Sequence, residues 1–331
     1  MASWNIAVVG ANGQVGRSII ELLANSALTI AQLDLLGSDN SEGEAVRFDG
    51  KNLVIKHIKN MDWSNCHLAF FVANQSVSEQ YARSAAQAGC IVLDATGTFS
   101  LDEAIPLIVP QLNDSILGDY RNENIVSIAN PIVSQALRCL AALTDVELLT
   151  QLHITNMIPA SFYGKQGVNE LAGQSARLLN GLPAEHDFFA KQLAFNVLPS
   201  MLVDDSFIVE QIKRITGNYQ LSITIDSVLV PVFYGLTQSI SFMSATTQGI
   251  EQNEALFDKY GIRVISHDYP TPVTVINSEQ ADSLAIMIAN VHHSYGNQEQ
   301  IQLMSVSDNI RYLGAKMLLE TAESLLTNYI E

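Results

Sequence analysis

The chain of 331 residues is 48% hydrophobic, enough to bury one or two sizeable cores, and its 17 Lys and Arg against 34 Asp and Glu leave a net charge of −17. That charge repels nucleic acid and anionic membrane surfaces, and no apolar run reaches membrane-spanning length; the sequence predicts a globular, cytoplasmic protein with neither partner. Its 3 cysteines, Cys66, Cys90 and Cys139, lack metal-ligand spacing, and an odd number without a signal peptide fits a reducing compartment.

The first element is an apolar strand, Asn5 to Val9, which ends in Gly10-Ala11-Asn12-Gly13-Gln14-Val15-Gly16 and runs into a helix marked by Val15, Ile19, Ile20, Leu22 and Leu23. Glycine at 10 permits the tight turn, glycine at 13 lets backbone N–H groups approach a pyrophosphate, and glycine at 16 lets helix and strand pack closely. The ligand implied is a dinucleotide, held by Gly10, Asn12, Gly13, Gln14, Val15 and Gly16. A second strand, Thr29 to Leu36, ends in Gly37-Ser38-Asp39-Asn40-Ser41, where a Rossmann fold meets the adenosine ribose. Asp39 there accepts from a ribose diol and repels a 2′-phosphate, with Ser38 beside it, so NAD is favoured over NADP; an ordinary polar loop is the alternative.

Leu53 to Ile58 reads as a short strand and His67 to Val72 as a buried parallel one. Ala73 to Ser78 then opens a helix, Glu79 to Ala88, ended by Gly89, and Ala73 completes the cofactor set. Cys90 to Asp94 and Ile125 to Ile128 are further strands. This alternation predicts an α/β fold with an N-terminal Rossmann-type, doubly wound parallel sheet. Later, Leu148, Leu152 and Ile154, with Ile223, Ile225, Val228, Val230 and Val232, predict antiparallel strands of one sheet. His153 falls in the first of these patterns as a core or interface residue. His292-His293 ends an amphipathic stretch, Asp282 to Val291, and without a third ligand at metal spacing no metal site is expected.

The order of motifs resembles a family. Gly10 to Gly16, Phe70 to Ser78, Val92 to Phe99 and Pro106 to Asn113 are similar to the N-terminal half of aspartate-β-semialdehyde dehydrogenases. Ala194 to Pro199, Val230 to Gly235 and Val306 to Arg311 resemble later segments of the family in the right order. The resemblance implies a dinucleotide-binding domain of residues 1–129 plus 305–331. It also implies a catalytic and dimerisation domain of residues 130–304, α+β with a mostly antiparallel sheet. A homodimer formed through a large apolar interface follows, with a C-terminal helix, Ile310 to Tyr329, packed back on the first domain.

The family's chemistry uses a cysteine thiolate at a helix N-terminus, where backbone dipoles lower the thiol pKa. Its Asn-Cys-Ser/Thr-Thr-x-Gln motif corresponds to Asn130-Pro131-Ile132-Val133-Ser134-Gln135, so Pro131 stands at the nucleophile's place. Asn130 and Pro131 remain a good N-cap and first helical residue. The substrate-clamping arginine and the acid/base histidine correspond to Leu229 and Leu236, neither of which pairs a charge or moves a proton. A phosphate-site arginine corresponds to Ser100. The Ser-Gly-Ala-Gly loop reads Ser161-Phe162-Tyr163-Gly164, two rings that crowd substrate and nicotinamide. Gln135, Glu210, Lys213 and Arg311 are retained, with Glu210 and Lys213 at the spacing of a solvated ion pair. Cys139, eight residues past Pro131, reads as a buried thiol.

No nucleophile is left, and the sequence is most like the non-catalytic usg-type paralogues of the family. The expectation is a catalytically degenerate homologue that dimerises and binds NAD or NADP weakly. The alternative is an oxidoreductase acting on another carbonyl substrate by direct hydride transfer, with Tyr163 or Tyr234 as proton donor.

Overall fold

In a computed structural model, which describes residues 3–199, 203–245, 254–265, 270–276 and 284–330, the chain divides into a unit of Met1–Asn130 with Gly314–Glu331 and a second of Pro131–Leu313.

The first unit follows the alternation read from the sequence. Strand β1 (Trp4–Val9) leads into α1 (Gln14–Leu23) and β2 (Ile30–Gly37). A hairpin, β3 (Ala45–Phe48) and β4 (Lys51–Val54), precedes β5 (Lys56–His57). Then come β6 (Leu68–Phe71), α2 (Gln75–Gln87), β7 (Ile91–Asp94), β8 (Leu107–Ile108) and β9 (Ile125–Ile128). The sheet order is β5-β2-β1-β6-β7-β9-β8, parallel throughout. Strands buried on both faces are rows of Val, Ile, Leu and Phe, because every second residue enters a different core. Val8, Leu68 and Phe70 join Ile19, Ile20 and Leu23 of α1 and Leu318 and Leu325 of the C-terminal helix, Met317–Asn328. Val9, Ala69 and Phe71 join Ala82, Ala85 and Ala86 of α2 on the opposite face. The sheet is doubly wound.

The expected single strand over Leu53 to Ile58 is instead the end of β4, the two residues of β5 and the start of a 3₁₀ turn. Asp49 and Gly50 join β3 to β4 with φ of 44° and 75°, the left-handed pair that a two-residue hairpin turn needs.

The second unit opens with α3 (Pro131–Ala141), buried on nearly every side, then β10 (Leu149–Ile158), α4 (Gly164–Leu179), β11 (Leu198–Pro199), α5 (Asp205–Thr216), β12 (Ser222–Leu229) and β13 (Leu236–Ser244). It closes with β14 (Ile262–Val264), β15 (Ile286–Ser294) and β16 (Asn297–Ser307). The sheet order is β11-β12-β10-β13-β16-β15-β14. Four of its six pairings are antiparallel; β10 with β12 and β14 with β15 are parallel. The antiparallel pairing expected for the Leu152 and Ile223 runs is therefore corrected. The two strands are neighbours, Leu152 opposite Ile223, but run the same way. Leu152 and Ile154 are 2% and 0% exposed, packed inward, so they do not supply an apolar interface. On the outward face of the same strands Gln151 stands opposite Met243, His153 opposite Ser241 and Thr155 opposite Ser239 across β10 and β13. Residues 305–313, expected with the first domain, lie in the second unit because β16 continues to Ser307.

Candidate functional site

In the first unit the turn after β1 is closed by backbone bonds. The amides of Gly10 and Ala11 donate to the carbonyl of Leu36 at 2.9 and 3.2 Å, and that of Gly13 donates to Gly10 O at 3.0 Å. Gly10 has φ +92°, and a Cβ there would sit 2.9 Å from the amide nitrogen of Ala73. A Cβ on Gly16 would collide with Gly10 O, whereas one on Gly13 would meet a single atom, Gly10 O, at 3.2 Å. Two glycines are thus required by the fold, and the third leaves open the space that a side chain would fill. Gly13 caps α1 without a side-chain bond, and the first turn, with Gln14, Val15 and Gly16, holds no acidic residue. An uncapped N-terminus with partial positive charge fits an anion such as a pyrophosphate. Arg17 bridges Asn12 O at 3.1 Å and Glu44 at 3.3 Å, fixing the turn's outer edge.

Beyond β2, Ser38 and Asp39 are exposed at the tip of a turn closed by the Ser41 amide on Ser38 O at 3.0 Å. Nε2 of His57 lies 3.0 Å from Oδ1 of Asp39. The sequence reading missed His57 because β5 is only two residues long and meets the end of β2 through tertiary pairing. It also missed Asp94, which ends β7 fully buried and accepts from Ser78 Oγ at 2.7 Å and Thr96 Oγ1 at 2.8 Å. Burial pushes the Asp94 carboxyl above its ordinary range, against the lowering effect of those hydroxyls. Ser100 is buried, its hydroxyl 3.2 Å from that of Ser127.

In the second unit Pro131 is the first residue of α3 and half-buried. One turn on, Gln135 is wholly buried; its Nε2 donates to Ser305 Oγ at 2.9 Å and to Leu236 O at 3.4 Å, and its Oε1 is buried without a hydrogen-bond partner. It belongs to a polar layer between α3 and the sheet, in which Gln238 Nε2 donates to Ile132 O and Asn156 Oδ1, both at 2.9 Å. Leu229 and Leu236 are 3% and 0% exposed. Glu210 and Lys213 lie on α5, exposed and half-buried; contrary to the spacing-based expectation they form no ion pair among the described residues. Ser161 Oγ donates to Asn309 Oδ1 at 3.1 Å, and the Tyr163 ring packs edge-on against Phe189 at 5.7 Å, near Phe162 and Phe188. His153 is exposed, 3.5 Å from Asp226. His292 contacts Asn290 O at 2.6 Å within β15, and Asp282, where its stretch was read to begin, lies outside the described residues. Among the described residues no three His, Cys, Asp or Glu cluster as metal ligands, and no helix is long and apolar enough to cross a membrane.

All three cysteines are buried. Burial pushes the Cys139 thiol up to about 12, opposed only in part by Ser305 and Arg138. The Cys66 thiol and burial together raise Cys90. Thiols held neutral and away from water are inert. Iodoacetamide is therefore expected to label none of the three in the folded protein and all of them after denaturation; rapid native labelling of Cys139 would restore a nucleophile.

Comparison with known proteins bears on both units. A family model described as the semialdehyde dehydrogenase NAD binding domain matches residues 5–120, and one described as the semialdehyde dehydrogenase dimerisation domain matches residues 140–312. The aspartate-semialdehyde dehydrogenase of Shewanella violacea is 34% identical over 98% of this chain and 98% of its own. A USG-1 protein homolog of Azotobacter vinelandii is 33% identical over 97% of each chain. The crystal structure of aspartate semialdehyde dehydrogenase II from Vibrio cholerae, complexed with ASA, is 32% identical with a TM-score of 0.92, covering 99% of this chain and 100% of that one.

Proposed function

The chain belongs to the semialdehyde dehydrogenase family, and from that premise we propose that it is a catalytically degenerate member which keeps a nucleotide site and a dimer but not the aldehyde chemistry. The observation that carries this reading is the start of α3. Where the family resemblance calls for a thiolate, the chain has Pro131, and the next thiol along, Cys139, lies more than two turns further on and fully buried. Leu229 and Leu236 are buried aliphatic side chains, so neither a carboxylate clamp nor a proton-transfer group stands in for the missing arginine and histidine. Gln135 is engaged by Ser305 and the Leu236 carbonyl, a structural use of its amide.

In this reading the first-turn backbone at Gln14, Val15 and Gly16 receives a pyrophosphate through the space that Gly13 leaves without a side chain, Gly10 and Ala73 shape the turn, Asn12 holds its edge, and Ser38 with Asp39 meets the ribose. A nicotinamide dinucleotide bound there supplies hydride-transfer capacity, which the second unit no longer couples to an acyl-enzyme. The carboxylate of Asp39 favours NAD over NADP, since a 2′-phosphate would be placed beside it. The test is an assay of phosphate-dependent oxidation of aspartate semialdehyde with either cofactor. No turnover is expected, and a rate comparable to that of the family's enzymes would overturn the reading.

A homodimer is the second part of the proposal. The outward sheet face of Gln151, His153, Thr155, Ser239, Ser241 and Met243 has one ionisable residue in six, with Asp226 of β12 next to it, 3.5 Å from His153, although the chain as a whole carries −17. A face of mostly uncharged polar side chains in so acidic a chain suits contact with a second copy, by hydrogen bonding more than by apolar burial. Sedimentation at low micromolar concentration is expected to show a dimer, and Ser241→Arg, which puts a charge near the middle of that face, to shift it toward monomer. Monomer alone for the unaltered chain would remove this part of the proposal.

A further inference from the structure

The turn after β2 presents Asp39 to solvent, its side chain 84% exposed, while its ion-pair partner comes from another strand and is buried, the His57 side chain being 9% exposed. The imidazole is oriented from both sides. Its Nδ1 accepts from the backbone amide of Lys59 at 3.0 Å, which leaves the ring proton on Nε2, 3.0 Å from Oδ1 of Asp39. Two cations of the unit are committed elsewhere: Lys56 pairs with Asp34 at 2.7 Å, and Arg17 with Glu44 at 3.3 Å. The path of the turn is fixed as well, since the Ser41 side chain lies against Gly37, where any Cβ would collide with it. A short acidic side chain at an exposed tip would otherwise sample several rotamers, and ordering it on ligand binding costs free energy.

We propose that His57 is a positioning residue of the nucleotide site, holding one carboxylate oxygen of Asp39 so that the other faces the ribose diol of NAD. This deepens the reading of the first unit as a nucleotide-binding domain and rests on it. The choice of imidazole matters for specificity. An arginine or lysine in its place would add a permanent cation able to offset a 2′-phosphate, whereas a neutral ring donating through Nε2 orders the carboxylate and leaves its negative charge in force.

The test is calorimetric titration of the full-length protein with NAD and with NADP. His57→Phe keeps a ring of similar bulk without the donor and is expected to weaken NAD binding about three- to fivefold, with less than a twofold effect on NADP, as befits a partly exposed pair. His57→Gln, which can return a donor near the Nε2 position, is expected to recover most of the loss. Asp39→Asn, at an exposed site that does not threaten folding, is expected to lower the NAD to NADP preference at least as far, and His57→Phe in that background to change it no further. An unchanged NAD to NADP ratio in His57→Phe, or an equal effect of His57→Phe with and without Asp39→Asn, would overturn the proposal while leaving the nucleotide site standing. Absence of binding by either dinucleotide to the unaltered protein would overturn both.

Discussion

Pro131→Cys is expected to place a thiol at the first position of α3 and still give no measurable oxidation of aspartate semialdehyde. At the helix N-terminus the backbone dipoles would favour the thiolate, so the variant should acquire one residue that iodoacetamide labels in the folded state. Labelling measures the nucleophile alone; turnover needs the rest of the machinery. Each acid/base or electrostatic group contributes about 10²-fold or more, and groups that act as a unit lose nearly everything when one is missing. With Leu229 and Leu236 still in place, the variant should remain at least about 10⁴-fold below a competent enzyme of the family. Restoring those positions is obstructed by packing, because Leu229→Arg would bury a charge at a site 3% exposed. Substantial turnover in the single variant would mean that another residue performs proton transfer and that the degenerate reading is wrong.

Gly13→Val and Gly16→Val are expected to separate binding from folding. The Gly13 backbone is extended, φ −70° and ψ 165°, which valine tolerates, and its Cβ would meet only Gly10 O at 3.2 Å. Its side chain would instead occupy the space through which a pyrophosphate approaches. Removing two or three charge-assisted hydrogen bonds, at about 1.5 kcal/mol each, weakens dinucleotide binding by about 100-fold or more, while stability changes by about 1 kcal/mol. At Gly16 the added Cβ would strike Gly10 O and crowd Ala11, so α1 would have to lift from β1. That overpacking costs about 3 kcal/mol, a fall in Tm of ~6–12 °C, and binding is lost with the turn's geometry. Calorimetry and thermal melts of the pair provide the check. Dinucleotide binding that survives Gly13→Val would place the ligand elsewhere.

How far the site was legible differs by residue. Pro131, Leu229 and Leu236 were singled out by motif order alone, and the structure sets them at the ends of α3, β12 and β13. The Asp49-Gly50 hairpin had a clear local signal, two turn residues between short extended runs, yet of its two strands only Leu53 and Val54 fell within the expected Leu53 to Ile58 strand. His57 and Asp94 had none. One is brought to Asp39 by a two-residue edge pairing, the other is tied to Ser78 across the face of the first sheet.

The sequence by itself determined the strand-turn-helix at Gly10 to Gly16, the doubly wound first unit, the second sheet's existence and the proline at the first position of α3, because each is written in contiguous residues through periodicity, glycine placement or the identity of one position. Only the tertiary structure decided strand direction in the second sheet, since alternating Leu152 and Ile154 present the same buried face to a parallel or an antiparallel neighbour. It likewise decided which polar side chains are committed. Gln135, Gln238 and Asn156 have no local signal of their partners, and it is packing of α3 on β13 and β16, with the pairing of β10 and β13, that brings their amides within hydrogen-bond distance of partners 82 to 170 residues away. Local chemistry fixes an element, but pairing across such separations depends on which faces the whole chain must bury.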